Sequence, residues 1–322
     1  MNSPVSFPAF AAGRRKVSII GVGYVGASIA YALTVRNIAR EIVLIDRDVS
    51  RAQGEALDIR HGVPFMGTSQ VYAGDYPDCA DCDLIILCAG RNRRPGESRR
   101  NLVDENVDII KNVIASLKPY YTHGAILVVS NPVDILTKVA ADLLQLPNGR
   151  VFGSGCILDT SRLTAYIADY LSLSTDAVKA MVVGEHGDEQ IPVWSRVAIA
   201  GVPIGEYCEN IGLAWGPEQR EALREKVCGM GAAIIRDKGK THYGIATCVC
   251  YLADAVLNQR QIIVPVSSPL AGEYGVEGVS LSVPSIVGVN GVERRLEERW
   301  SDEEYQKFRA AAQHMKECLE GL

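Results

Sequence analysis

The sequence predicts an α/β protein: a doubly wound parallel sheet over the first half, followed by a second, mixed α/β domain. Two observations carry this. Apolar runs of strand length alternate with helix-like stretches from Lys16 to about Phe152, as expected of parallel strands joined by crossover helices. The first run, Lys16 to Ile20, leads into Gly21-Val22-Gly23-Tyr24-Val25-Gly26, a glycine turn that opens a helix expected to continue to about Val35.

The remaining elements follow in order. Glu41 to Ile45 reads as a second buried strand and ends at Asp46. Residues 52–59 and 103–117 have helical character, and Asp83–Cys88 and Ala125–Val129 are apolar enough to be central strands. Beyond Phe152 the pattern changes. Helix-like runs at Thr160–Tyr170 and Pro217–Asp237 alternate with β-branched segments at Gln261–Val266, Val279–Val283 and Ser285–Val289, and Asp302–Cys318 reads as one amphipathic helix. The expected organisation is an N-terminal arm (1–15), a nucleotide-binding Rossmann domain (16–152) and a substrate domain (153–322). No repeat or low-complexity linker separates the two domains, so they should share a tight interface. The arm carries no charged start before an apolar core, so it reads as a flexible or partner-docking segment, not a secretory signal.

Composition narrows the function. Of 322 residues, 48% are hydrophobic and 22% charged, which is ordinary for a soluble globular protein. A net charge of −5 argues against nucleic acid or an anionic membrane as partner. An anionic substrate must therefore be gripped by individually placed arginines. No apolar run approaches the ~18 residues of a membrane span. The nine cysteines are scattered, and Cys79-Ala80-Asp81-Cys82 has no second half that would complete a zinc site. Free thiols in this number suit a reducing cytoplasm.

The glycine turn fits a dinucleotide. Gly21 allows the tight turn, Gly23 lets the backbone approach a pyrophosphate, and Gly26 lets helix and strand pack closely. The helix start, at Tyr24 and Val25, offers N–H groups and a positive dipole end. Asp46, twenty residues after Gly26, can accept hydrogen bonds from ribose hydroxyls and would repel a 2′-phosphate, which favours NAD over NADP; Arg47 beside it could soften that preference.

The reaction centre is read from Gly184-Glu185-His186-Gly187-Asp188 and from Asp159-Thr160-Ser161-Arg162 upstream of it. A histidine served by an aspartate, near an arginine that can hold a carboxylate, suits proton transfer on a small acid. No clustered set of metal ligands stands out.

From Lys16 to about Glu320 the chain resembles the lactate/malate dehydrogenase superfamily, and most closely its L-lactate dehydrogenase branch. The residues that carry the resemblance are the glycine turn, Ala89-Gly90, Pro95-Gly96-Glu97-Ser98-Arg99 and Asn131-Pro132-Val133-Asp134. They continue with Gly153-Ser154-Gly155, Leu158-Asp159, Arg162, the His186 segment and Pro192-Val193-Trp194-Ser195. The resemblance implies an NAD-dependent L-2-hydroxy-acid dehydrogenase that is a homotetramer or homodimer. His186 would be the acid/base group, oriented by Asp159. Arg162 would bind the substrate carboxylate, and Arg99, on a mobile lid at 91–100, would polarise the carbonyl. Asn131 would touch the nicotinamide ribose and the substrate oxygen. Ala89 and Gly90 would line the cofactor site, Thr241 the substrate pocket, and Ile245 would press on the nicotinamide.

One residue departs from the lactate pattern. Arg93 stands six residues before Arg99, where lactate enzymes carry Gln and malate enzymes place an Arg against the second carboxylate of oxaloacetate. Glu185, the Pro192–Ser195 segment and Thr241 follow the lactate pattern instead. The expected activity is L-lactate dehydrogenase, with malate dehydrogenase as the alternative that Arg93 raises. A non-catalytic NAD-binding structural protein is the second alternative, and the intact His186, Asp159, Arg162 and Arg99 speak against it. In bacterial relatives activated by fructose 1,6-bisphosphate, the positions of Thr164 and Lys179 carry Arg and His, so activation should be weak or absent. A tenfold or greater rise in rate at sub-millimolar effector would contradict this.

Overall fold

The computed structural model describes residues 15–91 and 99–322; the arm up to residue 14, lid residues 92–98 with Arg93, and the side chain of Arg99 lie outside the described residues. The first half alternates as expected: β1 (Lys16–Ile20), α1 (Tyr24–Val35), β2 (Glu41–Ile45), α2 (Val49–Met66), β3 (Gln70–Ala73), β4 (Leu84–Leu87), α3 (Arg99–Leu117), β5 (Ala125–Val128), α4 (Val133–Leu144) and β6 (Val151–Gly153). Then come α5 (Ile157–Leu171), the short strands β7 (Val178–Lys179), β8 (Val182–Val183), β9 (Ile191–Pro192), β10 (Ala198–Ile199) and β11 (Val202–Pro203), and helices α6 (Ile204–Asn210), α7 (Pro217–Lys238) and α8 (Tyr243–Leu257). The chain closes with β12 (Ile262–Ala271), β13 (Glu277–Gly288), β14 (Gly291–Arg295) and α9 (Asp302–Glu320).

Among the described residues the main sheet has nine strands in the order β3-β2-β1-β4-β5-β6-β12-β13-β14. Its first six strands are parallel throughout. Their order is that of dinucleotide-binding sheets, with a crevice at the carboxyl ends of β1 and β4, where the winding reverses. The sheet also crosses the expected boundary near residue 152. Ser267 of β12 pairs antiparallel with Gly153 of β6, and the β12–β13–β14 meander extends the sheet.

Successive strand residues feed opposite faces. Val17, Ile19, Ile42, Leu44, Leu84 and Ile86 pack with Ile29 and Leu33 of α1 and Val249 and Ala253 of α8. Ile20, Val43, Ile45, Ile85 and Leu87 pack with Ile110 of α3, Leu136 of α4 and Phe308 of α9. Being covered on both faces, β1, β4 and β5 are buried along their whole length, which explains their unbroken apolar sequences. A third cluster joins Leu163 and Ile167 of α5 to Val182 of β8 and Leu223 and Val227 of α7. No described helix is long and apolar enough to cross a membrane.

Two glycines in the first turn are sterically required. Gly21 has φ +99°, and a Cβ there would lie 2.4 Å from the Ala89 backbone nitrogen; a Cβ on Gly26 would lie 2.1 Å from the Gly21 carbonyl oxygen. Gly26→Ala must push α1 away from β1. We expect a loss of about 3 kcal/mol in unfolding free energy together with weakened NADH binding. Unfolding in urea combined with NADH fluorescence titration checks this, and a variant as stable as the parent would contradict the packing argument.

Candidate active site

The functional segments read from sequence converge on the carboxyl ends of the parallel strands. The glycine turn follows β1, Asp46 follows β2, Ala89 and Gly90 follow β4, and Asn131 follows β5. The turn leaves room for an anion. A Cβ on Gly23 would meet nothing within 4 Å, so the space above it is open. Gly23 is also the N-cap of α1, with no side-chain cap and no acidic residue in the first turn. The first N–H groups of α1 thus retain capacity for an anion. The Asp46 carboxylate braces the turn: one oxygen accepts from the Val22 N–H at 2.6 Å, the other from the Asp48 N–H at 3.0 Å. Each oxygen keeps a free acceptor site for a ribose hydroxyl. These features fit a dinucleotide without a 2′-phosphate.

The groups expected to handle the proton come from the second half. His186 lies in the loop between β8 and β9, which pair antiparallel. The loop is pinned to β13, because Gly184 and Ser282 exchange both N–H···O bonds at 2.9 Å. Asp159 and Arg162 lie one turn apart on α5, with Asp159 in its first turn. The Asp159 carboxylate bridges the other two groups. One oxygen is 2.6 Å from His186 Nδ1, and the other accepts from Arg162 Nη1 at 3.2 Å. Asp159 is buried, while the imidazole keeps about a quarter of its surface exposed. With Nδ1 engaged, Nε2 is the ring nitrogen left for a substrate. Burial pulls the His186 pKa down, but the charge and hydrogen bond of Asp159, helped by the charge of Asp134, outweigh it, and the net shift is upward from 6.5.

Two supporting residues escaped the sequence reading. Asn106 of α3 accepts from the Arg91 N–H at 2.9 Å and donates to the Arg91 and Asn131 carbonyls at 3.2 and 2.7 Å. It ties the loops after β4 and β5 together. Asp134, in the first turn of α4, accepts from the His186 N–H at 2.8 Å. Asp134 ends the Asn131-Pro132-Val133-Asp134 segment but drew no role of its own, and Asn106 had no local signature, since each acts on backbone distant in sequence. Ser195, by contrast, is tied to Glu304 of α9 through its N–H and hydroxyl, so its segment docks the C-terminal helix.

Thr241 precedes the His242 N-cap of α8 and Ile245 lies in its first turn; α8 packs along α1, where His242 Nδ1 is 2.8 Å from Ser28 Oγ. A Cβ on Gly244 would sit 3.1 Å from Leu158, so the same turn also faces α5. Glu185 and Glu189 of the His186 loop and His314 of α9 have side-chain ligand atoms within 4.8 Å of one another, but His314 is already paired with Glu189 at 2.8 Å.

Comparison with known proteins agrees with this architecture. A family model for the lactate/malate dehydrogenase NAD binding domain matches residues 15–153, and one for the lactate/malate dehydrogenase alpha/beta C-terminal domain matches residues 156–321. The chain belongs to the lactate/malate dehydrogenase family. It is 40% identical over 308 residues to an L-lactate dehydrogenase of Acetivibrio thermocellus, covering 96% of this chain and 97% of that one. It is 42% identical over 307 residues to one from Thermoanaerobacter sp. (strain X514), covering 95% and 99%. The crystal structure of a minor L-lactate dehydrogenase from Enterococcus mundtii superposes with a TM-score of 0.92 at 38% identity, covering 96% of this chain and 98% of that one.

Proposed function

We propose that this chain is an NAD-dependent L-lactate dehydrogenase, interconverting pyruvate and L-lactate. The observation that carries the reading is the Asp159 bridge, which holds a proton-transfer group and a carboxylate-binding group on one buried anion. Similarity to L-lactate dehydrogenases over nearly the whole chain supports it.

The bound nicotinamide supplies or accepts the hydride. In the reductive direction the proton resides on His186 Nε2 and passes to the substrate carbonyl oxygen, while Asp159 stabilises the imidazolium and fixes the ring through Nδ1. In the oxidative direction the neutral imidazole takes the hydroxyl proton back. Arg162, with Nη1 on Asp159, presents its remaining guanidinium nitrogens to the substrate carboxylate. Arg99 polarises the carbonyl from the start of α3, and Asn131, Thr241 and Ile245 shape the substrate and nicotinamide ends. Gly21, Gly23, Tyr24, Val25, Gly26, Asp46, Ala89 and Gly90 hold NAD. In this scheme residues 16–152 supply most of the cofactor site and 153–322 most of the substrate site.

Two further parts of the reading concern context. Tyr31 and Val35 of α1 and Leu57 and Phe65 of α2 are exposed. Such apolar exposure supports assembly into a homodimer or homotetramer. All nine cysteines are free thiols, which supports a cytoplasmic setting.

The test is NADH oxidation with pyruvate and with oxaloacetate, compared as kcat/KM. Pyruvate should lead by about tenfold or more, a margin set by the cost of burying the second carboxylate of oxaloacetate unpaired against neutral side chains. An oxaloacetate lead of that size would assign the pocket to Arg93 and make the enzyme a malate dehydrogenase. No turnover with either would restore the non-catalytic alternative.

A further inference from the structure

The acid–base group rests on two carboxylates. Asp159 touches its ring, and Asp134 touches its main chain. Asp134 is 1% exposed. One of its oxygens accepts from the His186 N–H, and the other has no hydrogen-bond partner. Ser267 of β12 lies on that side and favours the ionised form, although its hydroxyl also lacks a hydrogen bond of ordinary length. A buried carboxylate with an orphaned oxygen is expensive, and a fold that needed only an acceptor for one N–H could use a neutral amide. The charge itself therefore calls for a use.

We propose that Asp134 is a positioning residue for His186: its buried carboxylate fixes the His186 main chain and places a second negative charge near the imidazole, favouring the protonated ring needed for carbonyl reduction. This rests on His186 being the acid–base group.

The surroundings make this charge effective. The groups facing Asp134 are His186 and Glu185 from the β8–β9 loop and Ser267 from β12, and the neighbouring Cys156, at the start of α5, feels its charge. Among the described residues, those acting most on His186 are Asp159 and Arg162 from α5 and Asp134 from α4. Arg162 is the cation among these groups, and it opposes protonation of the ring. Asp134 offsets it through its charge while its contact is to the His186 main chain, so it does not compete for Nδ1. Burial, countered in part by Ser267 and the His186 N–H, pushes the Asp134 carboxyl up to about 6. It is thus ionised at neutral and alkaline pH, where protonation of His186 limits reduction.

The test is the pH profile of kcat/KM for pyruvate reduction in the parent and in Asp134→Asn. The Asn carbonyl can still accept from the His186 N–H, and its amide can donate to Ser267, so the substitution removes charge and keeps the contact. Activity should fall as pH rises through the His186 pKa, and in Asp134→Asn this alkaline limb should move to lower pH by about 0.5 unit or more. A limb that stays in place, whether or not the plateau drops, overturns the proposal, because a purely structural role lowers the plateau alone. Loss of a buried charge should leave the thermal midpoint at pH 8 equal to or above that of the parent.

Should the variant fail to fold, the parent protein provides the second measurement: hydrogen exchange of the peptide containing His186, normalised to the intrinsic rate. Protection should weaken as pH falls below about 6 and the acceptor loses its charge. Constant protection across that range overturns the proposal. The failure of the underlying reading looks different: His186→Asn would then retain parental turnover of pyruvate.

Discussion

His186→Asn lowers kcat for pyruvate reduction by about 10³-fold while leaving NADH affinity near the parental value. Asn can occupy the volume of the imidazole, but it cannot carry a mobile proton, so the hydride acceptor must draw its proton from water. Asp159→Asn removes the anion that stabilises the imidazolium and leaves one acceptor oxygen for two donors, His186 Nδ1 and Arg162 Nη1, so it should be nearly as damaging, by about 10²–10³-fold. The two losses should not add, because Asp159 acts on the proton through His186. A double variant whose defect equalled the product of the single defects would break the link inferred from the 2.6 Å contact.

The pH dependence follows from the same geometry. The His186 pKa is raised in the fold, with burial overcome by Asp159 and Asp134. Reduction needs the protonated ring, so its kcat/KM is constant below that pKa and falls above it; lactate oxidation rises over the same interval. The linkage to stability has the same sign. A histidine whose folded pKa is raised contributes stability that is complete below 6.5 and is lost as pH rises through the folded value. Asp134 is shifted upward too, but as an acid, so the folded state binds its proton more tightly than the unfolded chain does. Its contribution therefore declines as pH climbs from 3.8 through about 6. Above that interval the fold carries a buried charge whose value is in its effect on His186, a trade of stability for function.

How much of this could be read from the sequence depends on whether the responsible interaction is local. The glycine turn and Asp46 were legible because each lies at the end of a buried strand in a fixed local register. β1 and β2 matched their expected bounds, as did α1. α8 was not foreseen. Its sequence, YGIATCVCYLADAVL, is apolar around most of the helix, because α1 and the sheet cover it on several sides, and periodicity fails for such a helix. α4 was also unassigned, although it begins directly after Asn131-Pro132, in a segment that carries the family resemblance. β13 had been read as two segments separated by Pro284. It is one strand, because Pro284 lies opposite Pro265 of β12 and neither asks the other for an N–H. α2 likewise extends from Val49 to Met66, beyond the 52–59 expected, with Pro64 in its last turn. Asp134 and Asn106 bind backbone 52 and 15 to 25 positions away, so no spacing rule points to them.

Arg162→Lys should lower kcat/KM for pyruvate by about 10²–10³-fold, chiefly through KM. The guanidinium has two tasks in the proposed complex. Nη1 donates to Asp159, and the remaining nitrogens meet the substrate carboxylate in a planar fork. An ammonium group at the end of a lysine can serve one of these partners as a point charge but cannot span both. The carboxylate contact is made in the ground state and in the transition state alike, so its loss appears as weaker binding with a smaller change in kcat. The split between the two constants is the decisive readout. If KM were unchanged while kcat fell, Arg162 would act only by holding Asp159 against His186, and the substrate carboxylate would have to be bound elsewhere. Arg162 is 14% exposed and sits on a helix beside a fully committed anion. It is therefore preoriented before substrate arrives, and the entropy of fixing its side chain is spent in folding, not in binding. A lysine at the same position would regain that freedom, so raising the pyruvate concentration should restore most of its rate. A variant that remained slow at saturating pyruvate would contradict this assignment.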